Sequence, residues 1–106
     1  MYVLVILQPE ENADAEPRHA PAHVEFVSSM IKRNVVLLGG AFSEPIDDAP
    51  AAYLLRCRDL EEATRITAED PYVVNGVTRP RFVEWQLVGV NPEAIEIDDV
   101  VRPGDV

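Results

Sequence analysis

The sequence predicts an α+β domain in which the elements run β-α-β-β-α-β, with a four-stranded antiparallel sheet and both helices on one face. Three observations carry this. Residues 20–33 and 60–69 place apolar side chains at a helical period. Four other stretches are short apolar or alternating runs bounded by proline, glycine and acidic pairs, as strands are. The chain has 106 residues, enough for one small domain.

Residues 2–8 are apolar on both alternating sets, Tyr2, Leu4, Ile6 and Val3, Val5, Leu7. A strand with one wet face alternates, so this one is expected to be covered on both sides. Helices cover one face in a domain of this length, and a second subunit is the expected cover for the other. Pro9 and the polar run through Pro17 form a loop suited to border a site.

Over residues 20–33, His23, Phe26, Val27, Met30 and Ile31 fall on one helical stripe, with Glu25, Ser28, Ser29 and Lys32 on the other side. His23 is thus expected to face inward, with His19 one turn earlier. Pro21 suits a first helical turn, where a missing N–H costs little. Residues 35–42 read as a second strand interrupted by Gly39-Gly40, the mark of a bulge, a twist relief or a close approach to the backbone.

Residues 43–50 read as a loop with two prolines and Asp47-Asp48, and residues 51–58 as a third strand. Asp59 with Glu62 three residues on gives a capping-box start to the second helix. Its expected inner stripe is Leu60, Ala63 and Thr67, and Glu61 precedes Arg65 by one turn in the favourable order. Asp70 precedes Pro71, which turns the chain away from the helix. A short turn over residues 71–75 leads to Gly76. A fourth strand follows over residues 81–88, in which Val83, Trp85 and Leu87 alternate with Glu84 and Gln86. This order is the split βαβ arrangement of ferredoxin-like domains. The division expected is a domain over residues 1–89 and an acidic C-terminal tail or arm over residues 90–106.

The composition, 47% hydrophobic and 26% charged, is that of a globular domain. A formal net charge of -10 makes nucleic acid and anionic membranes poor partners. The lone cysteine, Cys57, excludes an internal disulfide and any Cys-pair metal site, and alternation with Tyr53 and Leu55 makes it core filler. The apolar opening is too short for a membrane span and has no basic flank, so a cytoplasmic location is expected.

Several segments in this order, Pro21-Ala22-His23, Leu37-Leu38-Gly39-Gly40, Asp59-Leu60-Glu61-Glu62-Ala63 and Asp70-Pro71-Tyr72 followed by Gly76, resemble the YCII-like family of the dimeric α+β barrel group. The resemblance spans nearly the whole chain, roughly residues 2–88. It implies a homodimer, or a higher assembly, paired through the sheets. It also implies a cleft in which His23 and Asp70 meet as a catalytic dyad. Members often carry an arginine three residues before the histidine; this chain has Ala20 there, with Arg18 and His19 nearby.

Without the resemblance, His23 is a core or capping histidine and Asp70 a turn-former. With it, the chemistry is coherent. An aspartate on one imidazole nitrogen fixes the tautomer and leaves the other nitrogen to take a proton near neutral pH. The expected function is a cofactor-independent lyase or isomerase acting on a small ring compound. The alternative is a non-catalytic ligand-binding or accessory module on the same fold. Substrate contacts are expected from Tyr72, Gly39, Gly40, Arg18 and His19, with no metal and no cofactor. His19, His23 and Asp70 offer too few ligands for a metal, and Asp70 serves better as an orienting acceptor.

Overall fold

The computed structural model describes residues 1–11 and 17–101. Its main elements are β1 (Tyr2–Pro9), α1 (Ala20–Lys32), β2 (Val36–Ile46), β3 (Ala49–Arg56), α2 (Leu60–Thr67), α3 (Pro71–Val74) and β4 (Thr78–Glu84). The strands form one antiparallel sheet in the order β2-β3-β1-β4, the ferredoxin-like arrangement, with β1 at the centre. The loop expected between Pro9 and Pro17 lies mostly outside the described residues. So does the end of the acidic tail; of the part described, only a 3-10 turn at Ile97–Asp99 is regular.

Cross-strand pairing fixes which side of each strand faces the helices. Val3, Val5 and Leu7 are fully covered, and they share a face with Tyr53, Leu55 and Phe82. Met30 of α1 and Ala63 of α2 close the core from above, with Phe26, Val27 and Ile66 packed beside them. Tyr2, Leu4 and Ile6 point to the other face and are half-buried. That second face continues through Leu38, Leu54 and Val83, the cross-strand neighbours of Leu4 and of one another.

α1 ends in a Schellman arrangement. Asn34 takes a left-handed φ of 61°, and the Val35 and Asn34 amides donate to the Met30 and Ile31 carbonyls. α2 opens on Asp59, whose carboxylate accepts from the Glu62 amide at 2.8 Å. Glu62 reaches back to the Arg58 amide, one residue before the cap. The Glu61–Arg65 pair forms at 3.3 Å. Leu60 and Ile31 are exposed rather than inward, because each sits at the edge of its stripe; Ile66, on the other edge in α2, packs against the core instead.

Three boundaries differ from the sequence expectation. Residues 43–50 are not a loop: β2 runs to Ile46, and a two-residue turn at Asp47-Asp48 starts β3 at Ala49. Both turn residues have positive φ, 48° and 68°, which matches the twist of a tight hairpin and which aspartate tolerates. Irregular pairing hides this strand from an alternation count. β2 runs from Ala41 to Ile46 while its partner runs only from Ala51 to Ala49, and a second shift falls between Val36 and Leu38. Residues 71–75 are not a plain turn but a single helical turn, α3, closed by Asn75. β4 lies earlier than expected, over Thr78–Glu84, and Pro80 is tolerated because β4 is an edge strand.

The two glycines of β2 play different parts. Gly39 faces the helices opposite Tyr53, and a Cβ there would sit 2.8 Å from Tyr53 Cβ and 3.3 Å from the Ala52 carbonyl oxygen. Gly40 pairs with Ala52 on the other face, where a Cβ would meet nothing within 4 Å. Gly39→Ala is therefore expected to destabilise the fold by about 1–3 kcal/mol, because neither obstacle can swing aside. Gly40→Ala is expected to melt close to the unmodified chain; equal melting temperatures for the two variants would contradict this account.

Candidate functional site

Asp70 organises the site. Its position before Pro71 holds it in an extended conformation (φ -65°, ψ 123°), so its side chain folds over the start of α3. There Oδ1 accepts from the Tyr72 amide at 2.9 Å. The same oxygen lies 2.8 Å from His23 Nδ1. Oδ2 accepts from the Tyr53 hydroxyl at 3.1 Å. The carboxylate is fully buried, and it is tolerable there because these donors occupy it.

The histidine arrives from the first turn of α1 and retains 13% exposure. Since a carboxylate only accepts, the contact requires a proton on Nδ1, and the neutral ring then carries its lone pair on Nε2. Among the described residues nothing hydrogen-bonds Nε2. Tyr72 stacks on the imidazole with ring centres 4.1 Å apart and planes 9° apart, and Tyr53 lies tilted at 6.5 Å. The ring is held on one face by Tyr72 and at one edge by Asp70, which fixes both tautomer and orientation.

The other residues singled out in the sequence sit as follows. His19 is the N-cap of α1, half-buried, and makes no side-chain cap bond. Arg18 is exposed in the 3-10 turn just before it. Gly39 lies beside Tyr53 on the neighbouring strand, whereas Gly40 is on the far face of the sheet. Cys57 is buried, and burial pushes its thiol up, so it is a poor nucleophile at neutral pH. Two shallow surface depressions, bordered by Arg33 and Glu62 near the far ends of the helices, do not reach His23 or Asp70. The polar group that sequence reasoning missed is Tyr53. Its alternation with Leu55 and Cys57 gave it the signature of core packing, and its hydroxyl is legible only once α3 lies above β3.

The model of the YCII-related domain matches residues 1–86. An uncharacterised protein of Bacillus subtilis, YjpA, is 28% identical over 86 residues, which cover 81% of this chain and 94% of that protein. Among solved structures, a 5-chloro-2-hydroxyhydroquinone dehydrochlorinase from Burkholderia phenoliruptrix, in complex with 2,5-dihydroxybenzoquinone, superposes with a TM-score of 0.59. The match covers 81% of this chain and 94% of that one, at 13% identity, where the likeness speaks for the fold alone.

Burial, then the Asp70 charge and the hydrogen bond to it, push the Tyr53 phenol far above its ordinary range, and burial pushes Tyr72 up as well. The sign follows from proton counting. Above about pH 10 the unfolded chain loses phenol protons that the folded chain keeps, so stability falls as pH rises. Urea unfolding from about pH 9 to about pH 11 is expected to register this fall. Tyr53→Phe is expected to flatten it, since Tyr72 then remains as the only one of the two to contribute. An unchanged slope in that variant would mean Tyr53 ionises as readily in the fold as in the unfolded chain.

Proposed function

The chain belongs to the YCII-related family, and on that premise we propose that it is a cofactor-independent lyase or isomerase acting on a small ring compound. The observation that carries the proposal is the 2.8 Å contact between His23 Nδ1 and a fully buried Asp70 carboxylate. A histidine oriented in this way is a general base, and a carboxylate beside it stabilises the imidazolium formed when it takes a proton. The structural neighbour is a dehydrochlorinase bound to a dihydroxybenzoquinone, which favours hydroxylated or halogenated rings as the substrate class.

In such a reaction Nε2 removes a proton from a ring hydroxyl or from a carbon beside a leaving group. The freed electron pair moves into the ring and expels the leaving group, or returns to the ring at another position with the proton. Asp70 stays a carboxylate throughout, and Tyr72 keeps the imidazole plane fixed while its charge changes. His19 and Arg18, at the head of α1, are the groups best suited to border the ligand. Residues 1–89 form the working domain in this proposal, and residues 90–106 an appended acidic arm. No helix among the described residues is long and apolar enough to cross a membrane.

The working unit proposed is a homodimer paired through the open face of the sheet. Leu38 and Trp85 are each 49% exposed, and they extend the half-buried row of Tyr2, Leu4 and Ile6. A two-layer domain leaves such a face uncovered unless a second layer meets it. Leu4→Glu is expected to yield a folded monomer in light scattering, whereas Val5→Glu, under the helices, is expected to unfold. A monomeric unmodified chain at micromolar concentration would remove the dimer from the proposal.

The activity test is a screen of halogenated phenols, ring-shaped hydroxy acids and lactones, with thermal shift as the first pass because a bound ligand raises apparent stability. Turnover is expected to fall about 100- to 10,000-fold in His23→Ala, and Asp70→Asn is expected to lower it far more than it lowers the melting temperature. Compounds that bind tightly yet are never converted, with the same affinity for His23→Ala, would favour a non-catalytic ligand-binding module instead.

A further inference from the structure

We propose that Tyr53 is a positioning residue of this site, setting the strength of the His23–Asp70 pair by taking a share of the carboxylate's charge. The inference rests on the dyad reading above and adds to it a member from the sheet. Asp70 Oδ1 serves His23 and the Tyr72 amide, while Oδ2 is held by the Tyr53 hydroxyl at 3.1 Å. Tyr53 is 2% exposed and emerges from the middle of β3, opposite Val5 on one side and Gly39 on the other. With no Cβ at Gly39, the β2 backbone packs closely against the Cα and Cβ from which the Tyr53 ring departs.

The physical consequence has a definite sign. The positive end of the phenol O–H dipole sits against Oδ2 and offsets part of the negative charge felt by the imidazole. The pair thus favours imidazolium less than a carboxylate without that donor would. The phenol is well suited to the role, because burial and the carboxylate keep it protonated and therefore always a donor. Among the described residues, the titratable and charged groups around His23 are few. Asp70 and Tyr72 come from the junction of α2 and α3, Tyr53 from β3, and His19 and Arg18 from the head of α1. Of these, only Tyr53 reaches the oxygen that the histidine does not use.

The experiment is a ring-nitrogen NMR titration of the two histidines in the unmodified chain, Tyr53→Phe and Asp70→Asn, with His19 as internal control. Tyr53→Phe is expected to move the His23 midpoint upward by about 0.5–1 pH unit, the equivalent of one neutral hydrogen bond, with Nδ1 still protonated in the neutral form. Asp70→Asn is expected to move it downward. A midpoint unmoved or lowered by Tyr53→Phe, while Asp70→Asn still lowers it, overturns the role of Tyr53 and leaves the dyad intact. A midpoint unmoved by Asp70→Asn overturns the dyad and the Tyr53 role with it. Should Tyr53→Phe fail to fold, 3-fluorotyrosine placed at position 53, a stronger donor of nearly the same shape, is expected to move His23 downward, and an upward or null movement overturns the proposal.

Discussion

A carboxylate with no exposure to solvent is an expensive thing to bury, and at Asp70 the cost is offset by donors drawn from three separate elements. The Tyr72 amide comes from α3, the imidazole from α1 and the phenol from β3. An isolated charge in such a place would cost several kcal/mol, enough to consume a large part of a small domain's stability. The position of each element is constrained as a result. If α1 slid by one residue along the sheet, or α3 failed to form, a buried oxygen would lose its partner. The helix layer is therefore held in register with the sheet by a polar contact as well as by packing of Met30, Ala63 and Val5. The constraint that stabilises the fold is the same one that orients His23.

How much of this was legible in the chain depends on the range of the interaction concerned. Helix positions follow from a period of 3.6 in side chains a few residues apart, so α1 and α2 could be read from Phe26, Val27 and Met30 and from Ala63 and Thr67. The outer end of the hairpin of β2 and β3, residues 43–50, was not legible, because the register shift after Ala41 breaks the alternation by which strands are recognised. Its turn is built on two aspartates in left-handed conformations rather than the asparagine–glycine pair that signals a tight hairpin. Asp70-Pro71 marks a stop for α2, as read, but it is also the cap of α3. One residue ends a helix through its backbone and begins another through its side chain.

The site shows the same division. His23 and Asp70 stand out by position, one at the head of an inward stripe and one before a proline, and their residue types suit proton transfer. Tyr53 does not stand out at all, since a tyrosine alternating with leucine is what a buried strand uses for packing. Its hydrogen bond to Asp70 depends on which element lies above it, information that no local window contains. Gly39 and Gly40 are equally opaque in sequence. The pleat sends one toward Tyr53 and its neighbour to the opposite face, and a shift of register by one residue would exchange them.

Charge narrows what such a site would receive on the proposed reading. With a neutral imidazole the dyad carries one buried negative charge, within a chain whose formal net charge is -10. Taking a proton from a neutral ring acid turns the pair into imidazolium and carboxylate, which together carry no net charge and attract each other at 2.8 Å. A substrate arriving as an anion meets instead the field of Asp70 and a surface rich in carboxylates, and screening relieves only the part beyond roughly 8 Å at physiological salt. Ala20 supplies no cation to offset that field, and Arg18, two residues earlier at the head of α1, offsets one charge of it at most. Neutral phenols, quinones and lactones thus fit the electrostatics better than ring carboxylates, and the ionised product of proton removal is held only as long as the imidazolium faces it. Return of that proton, to the leaving group or to the ring, leaves a neutral imidazole and removes the attraction that held the anion in place.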